Sequence, residues 1–120
     1  MRCIVYVKGG ITMNPQLKRG FLEYCILATL NQGESYGYRI IQSVQSAIDI
    51  SESTLYPILK RLEKKKYIVS HNKIYNNRVR RYYRITSAGV ASGKKFLKDE
   101  VKVNEMFKFI REGFYDADKK

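Results

Sequence analysis

The sequence predicts a mainly α fold with one small β-hairpin, in the order helix, helix, helix, hairpin, long helix. Three observations predict it. Apolar residues recur at helical spacing from Leu17 to Leu62. Two short runs rich in β-branched and aromatic residues, 67–75 and 79–85, flank the pair Asn76-Asn77. From Val90 to Phe114 a helical apolar stripe returns. A chain of 120 residues, 44% apolar and 12% aromatic, suits one domain with one added element for assembly.

The first helix is expected from about Pro15 to Leu30, because proline suits a first helical turn. Leu22, Ile26, Leu27 and Leu30 form one stripe, and Leu17, Phe21, Tyr24, Cys25 and Ala28 form another. A helix apolar on most of its circumference needs cover on two sides. Asn31-Gln32-Gly33 ends it. A second helix is expected from about Ser35 to Ala47, with Ile40, Ile41, Val44 and Ile48 inward and Gly37 in the first turn, where a missing side chain permits close approach. The polar residues around Ile50 include good N-caps for a third helix over about Ser53 to Lys65. Leu55, Ile58, Leu59 and Leu62 follow the i, i+3, i+4, i+7 pattern; Ser53, Pro57, Lys60 and Lys64 lie opposite, flanked by Tyr56 and Arg61. In the second strand of the hairpin, Val79, Arg81, Tyr83 and Ile85 share one face, and Arg80, Tyr82 and Arg84 the other. Asparagine tolerates the positive φ of a tight turn. Thr86 is the expected N-cap of a last helix running to Arg111 or Phe114, roughly 38–42 Å at 1.5 Å per residue. Such a helix outreaches a three-helix core, so its apolar stripe needs a partner subunit, unless the helix folds back on its own domain.

The order of elements is that of a winged helix-turn-helix, in which an amphipathic third helix enters a major groove. The charge agrees. The chain holds 23 Lys and Arg against 11 Asp and Glu, a net +12. Between residues 60 and 84 stand ten cations and one acid, Glu63, so nine of the twelve net charges are concentrated there. Such a local field matches a phosphate backbone. Four segments result: an N-terminal extension (1–12), the winged helix-turn-helix domain (13–85), a C-terminal dimerisation helix (86–114) and a frayed tail (115–120).

The opening stretch, MRCIVYVKGGIT, has two readings. Lys8-Gly9-Gly10 can be encoded by a purine run resembling a ribosome-binding site, which would make Met13 the natural start and residues 1–12 translated leader. Alternatively, the stretch is an added strand or tail.

Three groups of residues also resemble a known family. Gln16 to Leu30 with Tyr36-Gly37-Tyr38, then Ser53-Thr54-Leu55-Tyr56-Pro57-Ile58-Leu59-Lys60-Arg61-Leu62-Glu63, then Arg78 to Thr86 with Gly89, are similar to the opening, recognition helix and wing of PadR transcription regulators. Lys66 departs from the pattern, because relatives usually have glycine between recognition helix and wing. The resemblance implies a homodimeric repressor with a single-helix C-terminal region and a pseudo-palindromic operator on double-stranded DNA. It also implies a candidate small aromatic ligand at the dimer interface that releases the DNA. Carried over residue by residue, Ser53, Thr54, Tyr56 and Lys60 would meet the major groove, Tyr38 and Lys64 would touch phosphates, and Arg78 and Arg80 would lie on the wing near backbone or minor groove. The dimer would bury Phe21, Val90, Leu97, Val101, Phe107 and Ile110. An effector pocket would lie near Phe21, Phe96, Val103 or Phe107, where the absence of Trp removes indole stacking; the alternative is a fully packed interface with no effector site.

Plainer readings stand beside these. Tyr56 also fits the edge of the core. Tyr67, Tyr82 and Tyr83, interleaved with cations, fit either a stacking surface for single strands or ordinary packing. Cys3 and Cys25 make no disulfide framework and, with His71 apart from both, no zinc site. Cys25 reads as a small hydrophobe. Two reduced thiols point to a cytoplasmic protein, nucleoid-associated when bound to an operator. No apolar run approaches the roughly 20 residues of a membrane span. No paired carboxylates, nucleophile set or phosphate-binding glycine loop is present, so neither an enzyme nor a cofactor is expected. The competing functions are a non-specific nucleic-acid module and a winged-helix protein-interaction adaptor.

Overall fold

The structure, a computed structural model, describes residues 14–116. The N-terminal extension, with its two readings, and residues 117–120 of the tail lie outside the described residues. The chain forms α1 (Pro15–Asn31), β1 (Ser35–Tyr36), α2 (Gly37–Gln45), α3 (Glu52–Lys64), β2 (Ile68–Tyr75), β3 (Arg78–Ile85), α4 (Ser87–Lys98) and α5 (Glu100–Arg111), followed by a π-helical turn over Glu112–Asp116. The expected fold class holds: the molecule is mostly helical with a small antiparallel sheet.

Local chemistry explains most boundaries. Ser51 caps α3: its Oγ accepts from the Thr54 N–H at 3.3 Å. The helix therefore begins one residue before the expected Ser53, and Pro57 falls in its second turn. Pro57 is exposed, so the backbone bond it cannot donate leaves a carbonyl free to meet water. Asn76 and Asn77 both take positive φ, 52° and 62°, and close the two-residue hairpin between Tyr75 and Arg78. Thr86 caps α4 through Oγ1, which accepts from the Gly89 N–H at 3.1 Å.

Two elements differ from expectation. Ser35 and Tyr36 do not open α2 but form a short strand. Tyr36 is extended (φ −119°, ψ 166°), and the pair aligns antiparallel with Tyr83 and Tyr82, giving a sheet of order β1-β3-β2. The exposed edge of β3 captures these residues, and backbone pairing outweighs one more helical turn. The last helix is also interrupted. At Asp99 (φ −88°, ψ −1°) the N–H bonds back three residues to Phe96 O at 3.2 Å, a single tightened step between α4 and α5. Asp has low helix propensity, and its side chain competes for backbone groups.

The core lies between α1, α2, α3 and the inner face of the sheet. Ile26, Leu30, Ile40, Leu55, Leu59, Leu62 and Ile68 are its most enclosed large side chains. Burying each contributes about 1.5–3 kcal/mol relative to exposure. The second stripe of α1 meets α4: Tyr24 stacks on Phe96 with centroids 3.9 Å apart, and Phe21 meets the same ring edge-on at 5.8 Å. The region expected to hold an effector pocket is thus filled, at Phe21 and Phe96, by rings of the same chain. Of the expected dimer residues, Phe21 and Val90 are half-buried within the chain. Leu97, Val101, Phe107 and Ile110 stand 60%, 68%, 45% and 52% exposed along α4 and α5.

Candidate nucleic-acid interface

The corner after α3 sets the wing against the helix. Lys66 takes a left-handed φ of 65°. Its N–H donates to Glu63 O at 2.9 Å, and the Tyr67 N–H donates to Leu62 O at 3.0 Å, which together form a Schellman C-cap. A left-handed φ is the conformation that glycine adopts without the Cβ penalty that Lys66 carries here. Thr86 Oγ1 donates to Lys66 O at 2.7 Å, and the Thr86 N–H donates to Tyr67 O at 2.9 Å. Gly89 closes the junction, because a Cβ there would come within 2.3 Å of Tyr67 O. The end of α3, the base of the wing and the start of α4 are therefore locked together.

The outward face of α3 presents Ser53, Tyr56, Lys60 and Lys64, all exposed. At its N-terminus the Ser51 hydroxyl lies 3.0 Å from both Ser53 Oγ and Thr54 Oγ1, a cluster of three hydroxyls beside the helix's positive end. Tyr56 lies across α2: a Cβ on Gly37 would come within 2.7 Å of its hydroxyl oxygen. The ring is nonetheless 48% exposed, so it both packs on Gly37 and faces solvent. An open cleft of about 560 Å³ joins Tyr36, Tyr38, Tyr56, Val79, Arg80 and Arg81 between α2, α3 and the wing. Tyr38 is 59% exposed and accepts a hydrogen bond from Gln42 Nε2 at 3.3 Å.

Electrostatics sorts the basic run. Glu23 of α1 takes Arg61 at 2.8 Å and Lys65 at 3.2 Å. Burial raises the Glu23 carboxyl, but these two cations outweigh it and hold the pKa below the ordinary carboxylate value. Glu63 accepts from Ser70 Oγ at 2.6 Å and Arg81 Nη2 at 3.3 Å, which ties α3 to the wing. Glu34 takes Lys73, and His71 Nε2 lies 3.5 Å away; the Lys73 hydrogen bond chiefly holds its pKa down. Four of the ten cations are so engaged. Lys60, Lys64, Lys66 and Arg78 form no ion pair among the described residues. Arg80 is placed differently from its neighbours: its guanidinium lies between the rings of Tyr36, at 4.1 Å, and Tyr75, at 4.9 Å. No cluster of three metal-ligating side chains occurs among the described residues, and no helix is long and apolar enough to cross a membrane.

Sequence reasoning missed several residues that the structure brings to this region. Ser51 adds a hydroxyl to those of Ser53 and Thr54. Tyr36 joins the sheet's outer face through β1, a strand too short to leave a pattern of its own, and Arg39 of α2 reaches its ring. Ile74 and Val79, a cross-strand pair near the wing tip, are 79% and 69% exposed.

A profile of the transcriptional regulator PadR-like family matches residues 26–95. The chain belongs to the PadR-like family. It is therefore a DNA-binding transcription regulator and not an enzyme. The Lysinibacillus sphaericus protein called "Uncharacterized protein X" is 35% identical over 100 residues, spanning 79% of this chain and 92% of that one. The crystal structure of a PadR family transcriptional regulator from Eggerthella lenta superposes with a TM-score of 0.71 at 28% identity, over 80% of this chain and 87% of that one. Bacillus subtilis PadR in complex with operator DNA superposes with a TM-score of 0.59 at 27% identity, over 63% of this chain and 45% of that chain.

Proposed function

We propose that this PadR-like protein is a homodimeric repressor that reads a pseudo-palindromic operator. In this reading Ser53, Thr54, Tyr56 and Lys60 of α3 enter the major groove, Tyr38 and Lys64 touch phosphates, and Arg78 and Arg80 approach the flanking backbone or minor groove. The observation that carries the reading is the sorting of charge. Lys60, Lys64 and Arg78 stay exposed and without ion pairs among the described residues, while Arg61, Lys65, Lys73 and Arg81 are taken up by carboxylates. Dimerisation through α4 and α5 gives the exposed Leu97, Val101, Phe107 and Ile110 a partner. It would set two recognition helices about 34 Å apart, one turn of DNA. The operator complex of the Bacillus subtilis relative supports the DNA target. Such a repressor works in the cytoplasm, on the nucleoid.

Anisotropy binding to the DNA upstream of the protein's own gene, beside a scrambled duplex at physiological salt, tests this. The expected preference is a thousandfold or more. Equal weak affinity for both would replace the reading with a non-specific module, and no binding even at low salt would replace it with a protein-interaction adaptor. Lys60→Ala is expected to reduce discrimination between the two duplexes. The same reading includes a small aromatic effector seated at the dimer interface near Val103 and Phe107. A thermal-shift screen of phenolic acids and planar aromatics is expected to find a ligand that also releases the operator. A screen without any such ligand would remove the effector from the proposal.

A further inference from the structure

The wing sheet has two faces of different chemistry. Ile68 and Tyr83 on the inner face join the core beneath α3. The outer face carries rings from all three strands. Tyr36 of β1 meets Tyr82 of β3 edge-on at 5.4 Å, and His71 of β2 lies nearly parallel to Tyr82 at 6.1 Å. Tyr75, 55% exposed, extends the row toward the hairpin turn.

Cations are interleaved with these rings. Besides Arg80 between Tyr36 and Tyr75, Arg39 of α2 reaches Tyr36 at 5.2 Å, and the Lys73 ammonium sits 4.5 Å from the centre of Tyr82. Arg84 is exposed on the same face. The carboxylate found there, Glu34, is already bound to Lys73.

Phosphate alone explains the cations but not the rings. A duplex hides the flat faces of its bases and shows only their edges in the grooves, whereas an unpaired base exposes a π-face that stacks on Tyr, His or a guanidinium plane. A positively charged sheet face with aromatic rings spaced along it suits such a strand.

We propose that the outer face of the wing sheet also takes single-stranded DNA, in a site that shares Arg80 with the duplex reading, by stacking unpaired bases on Tyr36, Tyr75, Tyr82 and the Arg80 plane while Arg39 and Arg84 hold phosphates. The choice of DNA over RNA rests on the duplex-reading proposal, which brings DNA to Arg78 and Arg80 on this same face of the sheet. The site itself does not depend on that proposal.

The test measures the full chain against fluorescein-labelled (dT)12 and against the upstream duplex at low salt. Wild type is expected to bind (dT)12. The double variant Tyr75→Leu with Tyr82→Leu keeps apolar bulk on the strands and removes two stacking rings. Its (dT)12 affinity is expected to fall about tenfold per ring, on the usual scale of base stacking, with duplex affinity within about twofold of wild type. Lys60→Ala is expected to weaken the duplex and spare (dT)12. The proposal is overturned by absent (dT)12 binding in wild type, by an unchanged double variant, or by equal losses on both nucleic acids. A (rU)12 strand bound more tightly than (dT)12 would overturn the assignment to DNA. Photo-cross-linking of a bromodeoxyuridine-substituted strand to wild type, mapped by mass spectrometry, needs no variant to fold. Adducts are expected on β1, β2 or β3, and adducts confined to α3 would refute the site. Failure of operator preference with these results intact would sink the duplex reading alone.

Discussion

Replacing Lys66 with glycine should stabilise this protein, although the side chain removed touches nothing that needs it. Lys66 sits at the C′ position of α3 with φ 65°, is exposed, and forms no ion pair among the described residues. A residue with a Cβ pays roughly 1–2 kcal/mol for the left-handed conformation. Glycine escapes that cost but adds about 0.5–1 kcal/mol of unfolded-chain entropy. Both backbone bonds of the cap, to Glu63 O and Leu62 O, are available to either residue. The balance is a gain of about 0.5–1 kcal/mol. With an unfolding entropy of roughly 2.1 cal/mol/K per residue, that raises Tm by about 2–4 °C. The assay is thermal unfolding by circular dichroism at one fixed protein concentration, since the Tm of the proposed dimer would depend on concentration. Lys66→Ala is the control: it also removes the charge from a chain of net +12 but keeps the Cβ. If the glycine and alanine variants melt together, the left-handed strain is not what limits this corner, and the argument fails.

Four further outcomes are expected. Gly89→Ala places a Cβ 2.3 Å from a backbone oxygen, so the α4–wing junction must shift; a loss of at least about 2 kcal/mol is expected, and an unchanged melt would refute the close packing. Glu23→Gln tests the ion pairs to Arg61 and Lys65. Because the folded carboxyl is held below its unfolded pKa of about 4.3, its contribution is present above that pH and fades as pH falls through the lower folded value. The variant should be less stable at pH 7, by under about 1 kcal/mol for a pair this exposed, and should converge with wild type once the pH falls below the lowered folded value; a gap that persists in acid would mean the loss is not electrostatic. Leu97→Asp, at a 60% exposed position, should give monomers by light scattering with helicity retained, and a surviving dimer would move the interface elsewhere. Arg78→Ala should weaken duplex binding across sequences and flatten the slope of log K against log salt by about one unit, whereas an unaltered slope would take Arg78 off the phosphates.

What could be read from the linear chain is what neighbours in sequence decide. The i, i+3, i+4, i+7 repeat of Leu55, Ile58, Leu59 and Leu62 makes α3 amphipathic wherever it docks. Asn76-Asn77 suits a tight hairpin turn by its own φ preferences, and Thr86 caps α4 through a backbone N–H three residues away. Partners distant in sequence decided the rest. Ser35 and Tyr36 are a strand and not a helical turn because the edge of β3 lies beside them. Lys66 stands out in the sequence only through the family resemblance, and its left-handed φ shows that it caps a helix. The ten cations look equivalent in the sequence; Glu23, from α1, and Glu34, from the turn before β1, reach across the fold to claim three of them, and Glu63 claims a fourth. Carboxylates contributed by other elements thus determine which charges remain for DNA, and the pleat of β3 turns Arg80 toward Tyr36 and Tyr75 and Arg81 toward Glu63. Propensity and periodicity act over a few residues, whereas charge pairing and strand register are settled only when the chain closes on itself.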